Sequence, residues 1–139
     1  MLLTPKRWKY RKPLVRQLRG KSYRGSTVAF GQYGLKAITS SYLTNKEIEA
    51  ARKVIVRAIK KTGKMWIRVF PDVPFTKKGL EMPMGTGKGD VDIYTAPVRK
   101  GKIMFELMGI PRAEAKEALI KASKKLSVKA RFVERGEVK

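Results

Sequence analysis

Two aspartates, Asp90 and Asp92, fall in a stretch that reads as a β-strand, where alternate side chains share a face. A carboxylate pair so placed could hold a magnesium ion for phosphodiester cleavage. No third acid stands at catalytic spacing beside them, and amid so many cations such carboxylates more often act as salt-bridged supports. Just before them, Met84-Gly85-Thr86-Gly87-Lys88-Gly89 has glycines that let backbone N–H groups approach an anion. It departs from a nucleotide-binding P-loop, which needs Gly five residues before its Gly-Lys pair and Ser or Thr after it. Met82 and Gly89 occupy those places, and a strand rather than a helix comes next. The pattern suits a flexible backbone that slips against RNA, with Lys88 at its tip.

A third constellation lies at the N-terminus, where Trp8, Tyr10 and Tyr23 are interleaved with Lys6, Arg7, Lys9, Arg11, Lys12, Arg16, Arg19, Lys21 and Arg24. Cations meet phosphates, and rings stack on bases that are not paired. Residues 1–46 hold 11 of the 33 Lys and Arg and no acid, the first carboxylate being Glu47. The chain has 139 residues, 11 Asp and Glu, and a net charge of +22, which calls for a polyanionic partner: nucleic acid first, an anionic membrane surface second. With no His and no Cys, imidazole bases, thiol nucleophiles, disulfides and Cys/His zinc sites are excluded. We expect no enzyme, no cofactor and no small-molecule substrate. The N-terminus lacks the apolar stretch of a secretory signal. The longest charge-free run, residues 25–35, is far short of the roughly 18 apolar residues of a membrane span, so an intracellular, soluble chain is expected.

These groups need elements to position them. Residues 1–25 are too charged and too poor in branched aliphatics to pack alone, and are expected to stay extended until an anionic partner orders them. Thr27-Val28-Ala29-Phe30 and Leu35-Lys36-Ala37-Ile38, separated by Gly31 and Gly34, predict a first β-hairpin. Thr44-Asn45-Lys46-Glu47 is a capping box. The helix after it carries Ile48, Ala51, Ile55, Ala58 and Ile59 on one face, Arg52, Lys53, Arg57, Lys60 and Lys61 on the other, and stops at Gly63. Residues 65–70 read as a strand in which Trp66 and Phe70 share a face with Arg68, and residues 71–90 as one long irregular loop. Residues 91–98 and 102–108, joined through Lys100-Gly101, predict a second hairpin in which Pro97 marks an edge or a bulge. Pro111 opens a second helix burying Ala115, Ala118, Leu119, Ala122 and Leu126, and a strand alternating Val128, Ala130 and Phe132 closes the chain. The order implies an α+β fold: one domain at 26–139, two helices on a mixed, mostly antiparallel sheet, preceded by a basic extension at 1–25.

Pro5-Lys6-Arg7, Tyr10-Arg11-Lys12-Pro13, Tyr23-Arg24-Gly25, Ala29-Phe30-Gly31, Ile48-Glu49-Ala50-Ala51-Arg52, Trp66-Ile67-Arg68-Val69-Phe70-Pro71, Thr76-Lys77-Lys78, the Met84 to Gly89 run, Met104-Phe105-Glu106 and Lys125-Leu126 stand in one order along the chain. Together they resemble the bacterial-type L-sixteen family of large-subunit ribosomal proteins, whose archaeal and eukaryotic relatives are called L-ten-e. The resemblance implies an α/β-hammerhead-like fold and binding to 23S rRNA near the central protuberance and 5S rRNA. Neighbouring large-subunit proteins are implied partners, and no membrane is. It implies a cytoplasmic or organellar large subunit, with chemistry left to RNA. The loop matching residues 77–90 would point at aminoacyl-site and peptidyl-site tRNA. On that reading the arm's cations, with Trp8, Tyr10 and Tyr23, bind rRNA together with Arg52, Arg57, Lys60, Arg68, Lys77, Lys78, Lys124 and Lys125. Met82, Pro83, Met84, Gly85, Thr86, Gly87, Lys88 and Gly89 then face tRNA. Where many members of the family carry an arginine that some bacteria hydroxylate, this chain has Pro83, which removes a cation and stiffens the loop. Two rival readings are a non-ribosomal RNA-binding or RNA-processing protein, such as a nuclease using Asp90 and Asp92, and a general binder of anionic surfaces.

Overall fold

The computed structural model of the chain describes residues 3–137. In them the apolar pattern resolves into β1 (Tyr33–Ala37), β2 (Ser41–Thr44), α1 (Asn45–Ile59), β3 (Lys64–Ile67), β4 (Val73–Lys77), β5 (Asp90–Val98), β6 (Ile103–Met108), α2 (Arg112–Ser123) and β7 (Ala130–Glu134). The expected α+β class and both helices are present, but the strands divide into two sheets, ordered β3-β6-β1-β7 and β2-β5-β4. Every pairing among the described residues is antiparallel.

Local chemistry sets the helix ends. Thr44 Oγ1 accepts the Glu47 N–H at 3.2 Å and the Glu47 carboxylate accepts the Thr44 N–H at 2.9 Å, the capping box the sequence predicts. Gly63 is not the C-cap. Lys60 is, with φ 51 and its N–H donated to Val56 O at 3.1 Å. Gly63 answers a different demand, because a Cβ there would lie 3.1 Å from Met108 O and 3.0 Å from Ile59 Cβ. Pro111 sits one position earlier than expected, as the N-cap of α2. Ile48, Ala51, Ile55 and Ile59 of α1 and Ala115, Ala118, Leu119 and Ala122 of α2 are buried, whereas Ala58 is exposed. Both helices cover one face of the four-stranded sheet, where Leu35, Phe105 and Leu107 meet Ile48, Ile55 and Leu119 with no exposure at all. Each such side chain contributes about 1.5–3 kcal/mol of hydrophobic stabilisation.

Neither predicted hairpin forms. β1 pairs with β6 and β7, and residues 27–30 are not a strand. The turn at Gly101 exists, with φ 93, but it sends β5 into one sheet and β6 into the other. The long loop is also shorter than expected, because β4 occupies its first part despite Pro74. β4 lies at a sheet edge, where a missing N–H is tolerated. Pro97 faces Tyr42 of β2 at a point beyond the last β4 partner of β5, so its strand has a single neighbour there. A bulge does occur in β5, but at Asp92. Phe75 and Thr76 face Ile93 and Val91, leaving Asp92 as the extra residue, so Asp90 and Asp92 do not alternate as a regular strand would place them.

Candidate nucleic-acid interface

The reverse face of the four-stranded sheet is built around one carboxylate. Gly34, Glu106, Trp66 and Val133 are cross-strand partners and so share this face. Residues 25–31 cross over it: Ile103 N–H donates to Gly25 O at 2.8 Å, and Val28 packs on Ile103 and Val133. A Cβ on Gly34 would meet Val28 Cγ2 at 2.8 Å, so that crossing requires glycine. Glu106, fully buried, then accepts the N–H groups of Ala29 at 3.1 Å, Phe30 at 2.6 Å and Gly31 at 2.7 Å, and the Arg68 guanidinium at 2.8 Å. Residues 27–30, strand-like in composition, form no ladder, and the donors of Ala29 and Phe30 go to a side chain instead. Burial by itself raises the Glu106 pKa, but the three backbone donors and Arg68 outweigh it and hold the carboxyl below its ordinary value.

Arg68 also donates to Thr27 O at 2.9 Å and is 18% exposed. Its guanidinium lies 5.3 Å from the Phe30 ring centroid, and Phe30 stacks on Trp66 at 6.2 Å. Lys64 Nζ sits 5.4 Å from the Trp66 ring. Trp66 is therefore half-buried and Phe70 exposed, while Phe105 is core and Phe132 is half-buried against Tyr33.

The described residues of the arm, 3–25, have no regular secondary structure, yet side chains and backbone tie them to the three-stranded sheet and the turn that follows β5. Trp8 packs edge-on against Tyr94 of β5 at 5.4 Å, the Tyr42 hydroxyl of β2 donates to Arg16 O, and Ser22 N–H donates to Lys100 O at 2.9 Å. Lys6, Arg7, Trp8, Lys9, Tyr10, Arg11, Lys12, Arg16, Arg19, Lys21, Tyr23 and Arg24 are all exposed along it.

β4 and β5 are the stem of a hairpin whose tip is residues 78–89. Gly85, Thr86 and Gly87 all have positive φ, 114, 62 and 104, so the chain reverses there at the expense of strain at Thr86. Lys78 Nζ donates to Gly85 O at 2.5 Å and braces the tip. Residues 80–88, including Met82, Pro83, Met84 and Lys88, are exposed. Arm and loop clasp each other: Lys12 Nζ lies 3.3 Å from both Lys88 O and Asp90 Oδ1, and Lys88 Nζ donates to Pro13 O at 3.0 Å. Asp90 thus has the supporting role expected of it. Among the described residues no group of three or more His, Cys, Asp or Glu could hold a metal ion, and no helix is long and apolar enough to cross a membrane.

On the opposite side, Arg57 of α1 and Lys121, Lys124 and Lys125 of α2 and its C-terminus line a groove floored by Val54 and Ala58. Lys121 is paired with Glu117 at 2.5 Å, which lowers the Glu117 pKa. Arg52 turns away to Glu49, at 2.6 and 2.8 Å, its hydrogen bonds lowering the Glu49 pKa and raising that of Arg52. Of the cations expected to meet RNA, Lys12, Arg52 and Arg68 are thus engaged by carboxylates, whereas Arg57, Lys60, Lys77, Lys124 and Lys125 are exposed and Lys78 braces the loop. Sequence reading passed over Glu106 as an organising residue. Its signal was a single charge inside the apolar run of residues 103–108.

Known proteins match this chain over almost its full length. The family model described as Ribosomal protein L16p/L10e matches residues 5–133. The large ribosomal subunit protein uL16 of Borrelia hermsii is 47% identical over 138 residues, covering 99% of this chain and all of its own. That of Borrelia duttonii is 46% identical over the same span, and that of Pediococcus pentosaceus 48% identical over 137 residues, covering 95% of its length.

Proposed function

The chain belongs to the L-sixteen family of large-subunit ribosomal proteins, and from that premise we propose that it seats on 23S rRNA near 5S rRNA and extends its loop toward aminoacyl-site and peptidyl-site tRNA. As a family member it is a structural constituent of the large subunit of a bacterial-type, cytoplasmic ribosome. Its role is to position RNA, with no bond made or broken by its own side chains.

One observation carries this reading: the arm's cations are exposed, Lys12 alone among them being held by a carboxylate, while the arm is pinned to the body by the Trp8 ring, the Arg16 carbonyl and the Ser22 N–H. Positive charge is thereby presented in set positions. Phosphate contacts gain affinity from released counterions and from ordering that is already complete. The same contrast supports a division into an rRNA-binding extension at 1–25 and a supporting domain at 26–139. The exposed tip at residues 80–88, free of apolar cover and carrying Lys88, supports the tRNA-facing role. Sedimentation of native lysate through sucrose at physiological and high salt tests the seating. Cofractionation with large subunits that persists at high salt is expected, and a free pool or release at modest salt refutes it.

A further inference from the structure

Phe30 is 56% exposed on a segment held by three hydrogen bonds to a buried carboxylate, a costly place for a large apolar ring that the core does not use. Trp66 and Arg68, two residues apart in the chain, both contact the ring, at 6.2 and 5.3 Å from its centroid, and Lys64 stands beyond Trp66. At the other end the Lys102 ammonium and the Arg68 guanidinium close over Gly25. The result is a row of cation, indole, phenyl ring and cation on the reverse face of the four-stranded sheet, on a different sheet from the one the loop extends and meeting the end of the arm only at Gly25.

We propose that this row is a stacking site for one unpaired nucleobase of RNA, with Phe30 as the platform and Lys64 and Lys102 facing the flanking phosphates. The site rests on the RNA-binding reading above and adds a location that the arm and loop do not supply. Base faces in a duplex are already covered by their neighbours, so a platform of this kind selects single-stranded or bulged nucleotides. The flanking cations, in a chain of +22, favour a polyanion over an apolar protein surface. Glu106 keeps the platform in register, since its carboxylate fixes the N–H of Phe30 itself.

The test compares the full chain with Phe30→Leu, which keeps an apolar side chain of similar reach but removes the π-face. The probes are a single-stranded RNA carrying one 2-aminopurine and the same strand in a blunt duplex. Expected for the parent is quenching of 2-aminopurine on binding; for Phe30→Leu, quenching is lost and single-strand affinity falls about tenfold, the lower part of the range for one stacked base. Duplex affinity should stay unchanged, and the thermal midpoint should fall only slightly, through the lost Trp66 and Arg68 contacts. Equal loss on both probes, or none on either, overturns the stacking site. So does unaltered RNA binding with failed subunit incorporation, which would assign the ring to a protein contact. Absence of any RNA binding by the parent would instead remove the reading on which the site rests.

Discussion

Replacing Glu106 by glutamine keeps shape and removes charge, and the geometry around the carboxylate sets the cost. Oε2 accepts two N–H groups, from Phe30 and Gly31; Oε1 accepts that of Ala29 and the Arg68 guanidinium. An amide can satisfy two of these four donors and turns its own NH2 toward the others, leaving Arg68 without a counter-charge. Hydrogen bonds to a charged group contribute about 1.5–3 kcal/mol each, and breaking a buried ion pair costs about 3–5 kcal/mol. Arg68 retains some exposure and can recover part of its hydration, so we expect a loss of about 3 kcal/mol, a large share of the roughly 5–15 kcal/mol typical of a domain. With a urea dependence of about 1.5 kcal/mol per molar, the unfolding midpoint should drop by about 2 M. The pH dependence supplies an independent check. Because the folded pKa is depressed, the parent's extra stability is fully present above the unfolded carboxylate value of about 4.3 and is lost as pH falls through the lower folded value. Glu106→Gln lacks that component, so the gap between the two proteins should narrow below about pH 4. A midpoint within experimental error of the parent, or a gap that stays constant down to about pH 2, would refute the reasoning.

Three further outcomes rest on the same geometry. Thr44→Ala removes the side-chain acceptor at the start of α1 and should cost about 1 kcal/mol, read from thermal unfolding, with faster amide exchange at Glu47. Arg11→Ala with Lys12→Ala should weaken RNA binding alike across sequences and flatten the plot of log affinity against log salt by roughly one to two; an unchanged slope would show that these cations do not meet phosphate. Shortening the loop by residues 84–88 should leave incorporation into large subunits intact, because the contacts of Trp8, Arg16 and Ser22 still hold the arm once those of Lys88 are lost, while slowing tRNA accommodation in a kinetic translation assay. A protein that fails to enter subunits would contradict that division of labour.

What the sequence disclosed depended on the range of the interaction. The start of α1 is encoded within four residues, and both helix faces arise from spacing, so they were legible. The Lys100-Gly101 turn was legible too, but the strands beside it choose partners far along the chain: β5 takes β2 and β4, β6 takes β1 and β3. Local pattern holds no record of that choice. β4 was hidden by Pro74, whose missing donor is harmless only because the strand lies at an edge. Residues 27–30 misled because β-propensity reports side chains, while the backbone donors of Ala29, Phe30 and the following Gly31 were claimed by a glutamate more than seventy residues away. The arm's cations were evident from charge alone; its anchors on Tyr94, Tyr42 and Lys100 required the fold.

The clasp between Lys12, Lys88 and Asp90 makes the arm and the loop thermodynamically reciprocal. Asp90 is wholly exposed, so the contact is weak and easily traded. A phosphate that captures Lys12 therefore displaces Asp90 at little expense and loosens the base of the loop. By linkage, whatever draws the loop away from the arm raises the arm's affinity for phosphate by the same factor, no more than about fivefold. If the arm seats on phosphate and the loop reaches toward tRNA as proposed, the two become ends of one weak equilibrium, with a gentle bias set by the clasp that the free protein makes between them.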